Sequence, residues 1–385
     1  MPLGDAERLS PTWPSFLRDA PVDRDGSSAR GLAGCQAAGV VFEGGKGMNA
    51  LDGNGTLGIE GARVLVTGGS GFIGRAVCRL LMSAGAQVLN YDLNPWPGAD
   101  SGPRSVVGDI EDADALSKAC KSFDPSVFIH LAAFASVTAT SRSDFSTIWN
   151  GTQVAARAFA SASGPERFVN ISTQLVIRPG PQPTDLRAYD PYTPYGEAKA
   201  EAERFLQNFS RPYATAHVRP TNIWGPHHPS YANSIMRYLE KGWYLHPVAR
   251  KPTVRTYGYV DNCAGQIISI AFSEAVSDGD IFYSGDEAID SAKFLDAMSV
   301  GLRGKPVRRF PLGLLRRAGE AGTFLQRLGF PFPLDRERVM RMSTDYALPL
   351  GATHGLTALQ SVPFEVGMER TTRWFKEGAA PDWIA

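Results

Sequence analysis

Residues 67–74 read TGGSGFIG, a glycine-rich segment that decides the expected fold. The segment follows a short β-branched and apolar run, RVLVT at 63–67, and leads into an amphipathic helical pattern. Gly68 permits a tight turn, Gly71 lets the backbone approach a pyrophosphate, and Gly74 allows close packing of the helix. Free N–H groups at the start of that helix would bind phosphate oxygens. This segment therefore predicts a strand–turn–helix unit that binds a dinucleotide.

Asp92 strengthens the prediction of a dinucleotide site. It ends a second predicted strand at 87–91 and lies eighteen residues after Gly74. A carboxylate at this point can accept hydrogen bonds from both ribose hydroxyls of NAD, and it would repel the 2′-phosphate of NADP. The nearby Arg75 keeps NADP open as an alternative. We expect NAD as the cofactor.

Strand-like and helix-like segments alternate after the glycine-rich segment. Further strands are predicted at 87–91, 105–107, 127–131, 167–171 and 214–218, with helical stretches such as 113–122 and 152–162 between them. Alternation of this kind produces right-handed βαβ units. We therefore expect an α/β fold with a doubly wound parallel sheet of the Rossmann type.

After Pro220 the alternation breaks down, and loops rich in Pro, His, Tyr and Trp take over. This part is expected to form a smaller C-terminal substrate-binding domain at the carboxyl edge of the sheet, where doubly wound folds bind ligands. The sequence assigns 59–220 and 256–275 to the NAD-binding domain, and 221–255 and 276–385 to the substrate-binding domain. Residues 1–58 are rich in breakers without a lasting period, and we expect a disordered N-terminal extension there.

The composition narrows the range of partners. The chain has 385 residues with 39 basic and 39 acidic side chains, so no overall charge would attract nucleic acid or a membrane surface. Its four cysteines are far apart and its six histidines show no metal-ligand spacing, so we expect a cytoplasmic protein without a metal. No apolar stretch approaches the roughly 20 residues of a membrane helix. The expected partner is a small-molecule substrate, with no nucleic acid and no membrane span.

Three further motifs accompany the glycine-rich segment: YD at 91–92, GDI at 108–110 and HLAA at 130–133. Together the four motifs resemble those of the extended short-chain dehydrogenase/reductase family, the NAD-dependent epimerases and dehydratases. The similarity runs from about residue 61 to the C-terminus. The resemblance implies that Asp109 and Ile110 flank the adenine, and that Leu131, Ala132 and Ala133 line the cofactor channel.

A candidate catalytic pair lies in YGEAK at 195–199. Thr193 is placed to cap a helix in which Pro194 takes the first position. Spacing i, i+4 puts Tyr195 and Lys199 on the same helix face. A free tyrosine has a pKa near ~10 and is a poor base at neutral pH. The lysine cation and a positive nicotinamide ring together would favour the phenolate, so Tyr195 is the expected acid/base.

The segment FVNIST at 168–173 resembles the strand of the family that ends in a catalytic Ser or Thr. By this resemblance Thr173 would hold the reacting oxygen. In the family's 4,6-dehydratases an Asp-Glu pair follows this residue, whereas this chain has Gln174 and Leu175, which argues against removal of water. The family's NVxGT segment reads IWNGT here, with Ile148 at the Asn position, and it is open whether Asn150 substitutes.

The predicted cofactor contacts combine the glycine-rich segment, the resemblance and the catalytic pair. They are Gly68, Gly71, Phe72, Ile73, Gly74, Asp92, Asp109, Ile110, Leu131, Ala132, Ala133, Tyr195 and Lys199.

Two segments point to the substrate. RPTNIWGP at 219–226 resembles the family's RPxNxYGP, in which Asn222 would contact the diphosphate of a sugar nucleotide. VRTYGYVD at 254–261 resembles a second segment, in which Arg255 would grip the same diphosphate. An arginine fork suits phosphate oxygens, although a solvent-facing arginine is the alternative.

The leading hypothesis is an NAD-dependent oxidoreductase/epimerase that acts on a sugar nucleotide through Tyr195 and Lys199, with a reaction like that of a 4-epimerase. One alternative is a 3β-hydroxysteroid dehydrogenase-like enzyme for a bulky apolar alcohol, which the apolar segment PLGLL at 311–315 would suit. An alternative of another class is a non-catalytic NAD-sensing scaffold, although such proteins commonly lose the Tyr or the Lys. Fold alone does not decide among them. The oligomeric state stays open between a monomer and a homodimer.

Overall fold

The computed structural model describes residues 59–97, 102–134, 145–330, 332, 334–357, 359 and 361–377. The extension expected at 1–58 lies outside the described residues. The strands are β1 (Arg63–Thr67), β2 (Gln87–Asp92), β3 (Arg104–Val107), β4 (Val127–His130), β5 (Arg167–Ile171), β6 (Ala214–Pro220), β7 (Asn222–Trp224), β8 (Leu245–Val248), β9 (Val254–Arg255), β10 (Tyr257–Tyr259), β11 (Asp280–Ser284), β12 (Ile289–Asp290) and β13 (Arg308–Pro311).

Helices separate most of these strands. They are α1 (Phe72–Ser83), α2 (Ala113–Phe123), α3 (Ser146–Phe159), α4 (Pro194–Asn208), α5 (Pro229–Asn233), α6 (Ile235–Glu240), α7 (Val260–Phe272), α8 (Ser291–Arg303), α9 (Leu312–Arg327), α10 (Arg336–Met342), α11 (Gly351–Leu356) and α12 (Phe364–Lys376). A 3₁₀ turn at Gln174–Val176 follows β5. None of the helices in the described ranges is long and apolar enough to cross a membrane.

A seven-stranded parallel sheet forms the centre, with the strand order β3-β2-β1-β4-β5-β6-β11. Successive residues of β1 pack on opposite faces of this sheet, because side chains alternate along a strand. Val64 and Val66 belong to the apolar cluster that includes residues of α1 and α7, whereas Leu65 belongs to the cluster of α2 and α3. The predicted doubly wound parallel fold is confirmed.

The last strand of the sheet, β11, extends it beyond β6. This strand lies inside 276–385, which the sequence assigned to the substrate-binding domain. The sheet therefore takes one strand from the range expected for the second domain. Because all seven strands are parallel, their carboxyl ends lie along one edge, and this edge carries the glycine turn after β1 and the start of the 3₁₀ turn after β5.

A third apolar cluster lies among the short strands and helices that follow Pro220. Trp224, Tyr257, Phe294 and Trp374 are buried within it, and the rings of Tyr257 and Phe294 stack with centroids 3.9 Å apart. These side chains come from β7, β10, α8 and α12. Several of the large rings in this part of the chain therefore build a core.

Residues 313–340 form a separate compact helical unit. Within it α9 packs closely through small residues. A Cβ atom on Gly319 would lie 2.9 Å from the side chain of Val339, and one on Gly322 would overlap the carbonyl oxygen of Leu334. Glycine at these two positions therefore lets α9 pack closely against Leu334 and Val339.

Candidate active site

The turn after β1 requires glycine at two positions. Gly68 has a φ of 73°, in the left-handed region, and a Cβ atom there would lie 2.6 Å from the backbone nitrogen of Ala132. A Cβ atom on Gly74 would lie 2.2 Å from the carbonyl oxygen of Gly68. The turn after β1 therefore packs directly against the start of α1 and the chain that follows β4, which leaves no space for a side chain at Gly68 or Gly74.

The start of α1 is suited to an anion. Gly71 is its N-cap residue and provides no side-chain cap, and the first turn contains no acidic residue. The first N–H groups of a helix lack partners within the helix and carry a partial positive charge. Among the residues that the structure describes, a Cβ atom at Gly71 would meet only the carbonyl oxygen of Gly68, at 3.1 Å. These features fit the pyrophosphate of a dinucleotide.

Asp92 lies beside this turn at the end of β2. One of its carboxylate oxygens accepts the backbone N–H of Ser70 at 3.0 Å, and the other accepts the N–H of Asn94 at 2.9 Å. Asp92 as a whole residue is 9% exposed. Each oxygen keeps a lone pair for a further donor. The fixed carboxylate therefore fits the ribose hydroxyls of NAD, and Phe72, Ile73 and Gly74 supply the first turn of the helix next to it.

The cofactor preference can be tested at this carboxylate. Asp92→Asn removes the charge that would repel a 2′-phosphate and removes one acceptor for a ribose hydroxyl. We expect NAD affinity to fall by about 10-fold, equivalent to roughly 1.4 kcal/mol, while NADP affinity falls less or rises. Titration of both cofactors measures the ratio. Asp190→Asn changes an exposed carboxylate paired with Arg178 and is the control. An unchanged NAD/NADP ratio in Asp92→Asn would contradict the prediction.

The other predicted cofactor residues lie in three places. Leu131, Ala132 and Ala133 follow β4, and the backbone N–H of Leu131 donates to the carbonyl of Thr67. Asp109 is exposed. The side chain of Ile110 is buried against α3, where a Cβ atom on Gly151 would lie 2.9 Å from it. The chain after β4 thus borders the glycine turn, whereas the Ile110 side chain contributes to the core.

The start of α4 has the capping predicted from the sequence. Thr193 is the N-cap residue, and its hydroxyl accepts the backbone N–H of Gly196 at 3.0 Å, with Pro194 in the first position. A Cβ atom on Gly196 would lie 2.3 Å from the carbonyl oxygen of Leu175, so this end of α4 lies directly against the 3₁₀ turn. The helix with Tyr195 and Lys199 is thereby brought next to Thr173, which caps that turn.

Hydrogen bonds orient Thr173 and Lys199. The hydroxyl oxygen of Thr173 accepts the N–H of Leu175 at 3.2 Å, so its own O–H can donate to another group. Lys199 Nζ donates to the carbonyl oxygen of Ile171 at 2.8 Å. The ring of Tyr195 packs on that of Phe145, with centroids 5.8 Å apart, in a cluster that includes Ala133. The three predicted catalytic residues therefore lie together at the carboxyl edge of the sheet.

Burial dominates the electrostatics of the catalytic pair. It raises the pKa of Tyr195 to about 12. It lowers the pKa of Lys199 to about 8, although the negative charge of Glu203 acts in the opposite direction. The protein alone therefore keeps the phenol of Tyr195 protonated. The phenolate expected from the sequence requires more positive charge than Lys199 provides here.

His130 is a residue of this site that the sequence analysis did not single out. Its Nδ1 lies 2.8 Å from the hydroxyl of Thr67, and its Nε2 lies 3.1 Å from the hydroxyl of Thr152. Burial, with a smaller contribution from the positive charge of Lys199, lowers the pKa of His130 to about 3. The neutral ring joins β1, β4 and α3 behind the catalytic pair. Only the motif HLAA at 130–133 signalled it in the sequence.

The position at which the family has an asparagine is apolar in this chain. Ile148 is fully buried and shares a cluster with Ala198 and Tyr195. Asn150 lies on α3, and its amide donates to the carboxylate of Glu111 at 2.8 Å, among exposed groups. Asn150 therefore does not replace the missing asparagine beside Tyr195.

The two predicted substrate residues have different surroundings. Asn222 begins β7, and its amide oxygen accepts a hydrogen bond from the amide of Gln174 at 3.0 Å, which brings it next to Thr173. Arg255 lies on β9, where its guanidinium donates to the carbonyl oxygen of Arg341 and, at 3.2 Å, to that of Thr344. Asn222 thus lies next to Thr173, whereas Arg255 already binds backbone carbonyls.

Comparison with known proteins gives a family and a fold. The profile of the NAD dependent epimerase/dehydratase family matches residues 64–280. A probable dTDP-glucose 4,6-dehydratase of Sinorhizobium fredii is 32% identical over 235 residues, which is 52% of this chain and 65% of that protein. A 3-beta-hydroxysteroid dehydrogenase of Mycolicibacterium neoaurum is 34% identical over 186 residues, which is 45% of this chain and 50% of that protein.

Both alignments span less than two thirds of the relative's own length. Among solved structures, the complex of UDP-glucose 4-epimerase from Thermus thermophilus with NAD is similar, with a TM-score of 0.61 and 23% identity. That match covers 82% of this chain and 99% of the epimerase. At this identity the likeness shows the fold.

Proposed function

Because the chain belongs to the NAD-dependent epimerase/dehydratase family, we propose that it oxidises and re-reduces one secondary alcohol of a nucleotide-linked sugar without removing water. The observation that carries the proposal is the position of Thr173, Tyr195 and Lys199. They lie at the same edge of the sheet as the glycine turn and Asp92. Substrate oxygen and cofactor can meet at this edge.

Each catalytic side chain has a distinct task in this proposal. NAD, when bound, accepts the hydrogen and two electrons of the alcohol carbon and can return them to the ketone. Tyr195 exchanges the proton of the substrate hydroxyl, and Thr173 donates a hydrogen bond to the same oxygen. Lys199 supplies positive charge one helical turn from Tyr195. This charge opposes the effect of burial, which otherwise keeps the phenol protonated.

The residues after Thr173 favour a reaction without elimination. Removal of water from a sugar needs an acid and a base beside the ketone. Gln174 is an amide held by Asn222, and Leu175 is apolar, so neither can transfer a proton in this way. Although one similar protein is named a probable dTDP-glucose 4,6-dehydratase, these two residues argue against dehydration by this chain.

Asn222 supports a nucleotide-linked substrate. Its amide oxygen is taken by Gln174, so its amide N–H groups remain to donate to an acceptor such as a phosphate oxygen. In this proposal Asn222 contacts the diphosphate, as the resemblance implies. Arg255 would have to give up its carbonyl partners to do the same.

The engagement of Arg255 favours a second candidate, an uncharged alcohol or ketone of the kind used by a 3β-hydroxysteroid dehydrogenase. A guanidinium that already donates to two backbone carbonyls has fewer donors left for a diphosphate. One of the similar proteins is named a 3-beta-hydroxysteroid dehydrogenase. Such an enzyme would release NADH with each oxidation.

One experiment separates the two candidates. The purified protein is incubated with NAD and a panel of UDP-, GDP- and dTDP-sugars, and with a 3β-hydroxysterol. Chromatography of the sugar nucleotides and NADH absorbance are the measurements. We expect conversion between sugar-nucleotide epimers without stoichiometric NADH and without a 4-keto-6-deoxy product. Steady NADH formation with the sterol and no change in any sugar nucleotide would reject the epimerase in favour of the second candidate.

A further inference from the structure

A buried ion pair lies behind the catalytic helix. Arg219 on β6 donates through Nε and Nη2 to the two carboxylate oxygens of Glu203 on α4, at 3.0 and 2.7 Å. Both side chains are 0% exposed. The hydroxyl of Tyr189 donates to Glu203 at 3.0 Å, and Nη1 of Arg219 donates to the hydroxyl of Tyr283 at 3.3 Å. The carboxylate is therefore fixed from two sides and fully removed from water.

The position of Glu203 relates this pair to the catalytic pair. Glu203 follows Lys199 by four residues on α4, so the two side chains lie on the same face of the helix. Lys199 is 2% exposed, and its hydrogen bond to the carbonyl of Ile171 involves no negative charge. A buried ammonium is costly unless a negative charge lies near it. Glu203 provides this charge.

Several other titratable groups surround Lys199 or its partner. They are Tyr195 on α4, His130 on β4, His217 and Arg219 on β6, Tyr283 on β11, and Tyr189 before α4. Burial lowers the pKa of His130 to about 3 and that of His217 to about 4, so both rings are neutral near pH 7. Burial likewise raises the pKa of the phenols of Tyr195 and Tyr189 to about 12. None of these groups is negative near pH 7, so Glu203 supplies the negative charge near Lys199.

We propose that Glu203 is a positioning residue for the proposed reaction, whose carboxylate, anchored by Arg219, keeps Lys199 charged beside Tyr195. The inference rests on the proposed function, because it assigns Lys199 a task in proton exchange. Arg219 lies near the end of β6, and Asn222, the residue expected to contact the substrate, follows at the start of β7. The buried pair of Glu203 and Arg219 thus joins α4, which carries Tyr195 and Lys199, to β6, the strand that leads to Asn222.

The test removes both charges together. Glu203→Gln/Arg219→Met removes both charges of the ion pair, so neither partner is left without the other, and the new amide oxygen can still accept from Tyr189. Nitrogen-15 NMR of the lysine side chains, with Lys199 assigned from Lys199→Arg, measures the titration of Lys199 without substrate. We expect its midpoint, near pH 8 in the parent protein, to fall by about one pH unit or more in the variant. The alkaline limb of the pH–kcat profile should move in the same direction, because the protonated lysine is the active form.

Two further variants complete the test. Arg63→Met/Asp124→Asn removes an ion pair at the amino end of β1, at the opposite edge of the sheet, and should leave the Lys199 midpoint unchanged. Glu203→Asp withdraws the carboxylate by one methylene but keeps the pair with Arg219, so it should give a smaller shift in the same direction, even if the double variant does not fold. An identical midpoint in Glu203→Asp or in the folded double variant would overturn the inference. A shifted midpoint in a protein that turns over no alcohol would reject the proposed function and leave the role of Glu203 in charging Lys199 intact.

Discussion

Tyr195→Phe is expected to lower kcat by about 10²-fold or more while NAD binding changes little. The substitution removes the one hydroxyl that can exchange the substrate proton and keeps the ring that packs on Phe145. The fold should therefore be unaffected. Because burial holds the pKa of Tyr195 at about 12, turnover by the parent protein depends on positive charge near the phenol. Single-turnover kinetics and NAD titration separate the chemical step from cofactor binding.

Tyr238→Phe is the matched control, because it makes the same chemical change on α6. It should retain normal kcat. Turnover of Tyr195→Phe within a few-fold of the parent value would remove Tyr195 from the mechanism. A parallel loss of NAD affinity would instead mean that the hydroxyl mainly holds the cofactor.

The parts of the site that were predictable depend on local sequence. The glycine turn, the capping of α4 by Thr193 and the strand alternation each follow from residues within one turn or one βαβ unit. Steric and hydrogen-bonding rules act over such distances, so a single sequence carries the information. The resemblance to the family added the role expected for Thr173, which follows β5.

The features that were missed depend on contacts between distant segments. Arg255 donates to the carbonyl oxygens of residues 341 and 344, more than 80 residues later in the chain. No local sequence pattern predicts these hydrogen bonds. The pairing of β11 with β6 was not foreseen, because β11 reaches its place in the sheet only after the chain has passed through α7. The burial of Ile148 and the outward contact of Asn150 likewise became clear only from the packing of α3.

The pair of Glu203 and Arg219 shows why such contacts matter for stability. Its residues are sixteen positions apart in sequence and lie on different elements, α4 and β6. Replacement of a whole buried ion pair by neutral groups of similar size is often close to neutral for stability, whereas removal of one partner is costly. The pair is therefore weak evidence of stabilisation as such, which is consistent with a role in positioning Lys199.

This reasoning gives a prediction for Arg219→Met alone. The variant leaves the carboxylate of Glu203 at 0% exposure without its bidentate partner, although the hydroxyl of Tyr189 still donates to it. We expect the free energy of unfolding to fall by about 3–5 kcal/mol, since the carboxylate remains in the interior without its bidentate ion-pair partner. Urea denaturation measures the change.

Two comparisons make the stability result specific to burial. Arg178→Met breaks an ion pair with Asp190 whose side chains are 58% and 60% exposed, and it should cost no more than about 1 kcal/mol. Glu203→Gln/Arg219→Met should recover most of the loss seen in Arg219→Met, because the carboxylate is removed together with its partner and Lys199 can lose its proton. An Arg219→Met variant as stable as the parent protein would contradict the prediction that the buried carboxylate depends on Arg219. Recovery of stability in the double variant together with a shifted Lys199 titration would separate the two roles of the pair. Stability would then depend on the balance of charge within the pair, whereas the protonation of Lys199 would depend on the carboxylate of Glu203.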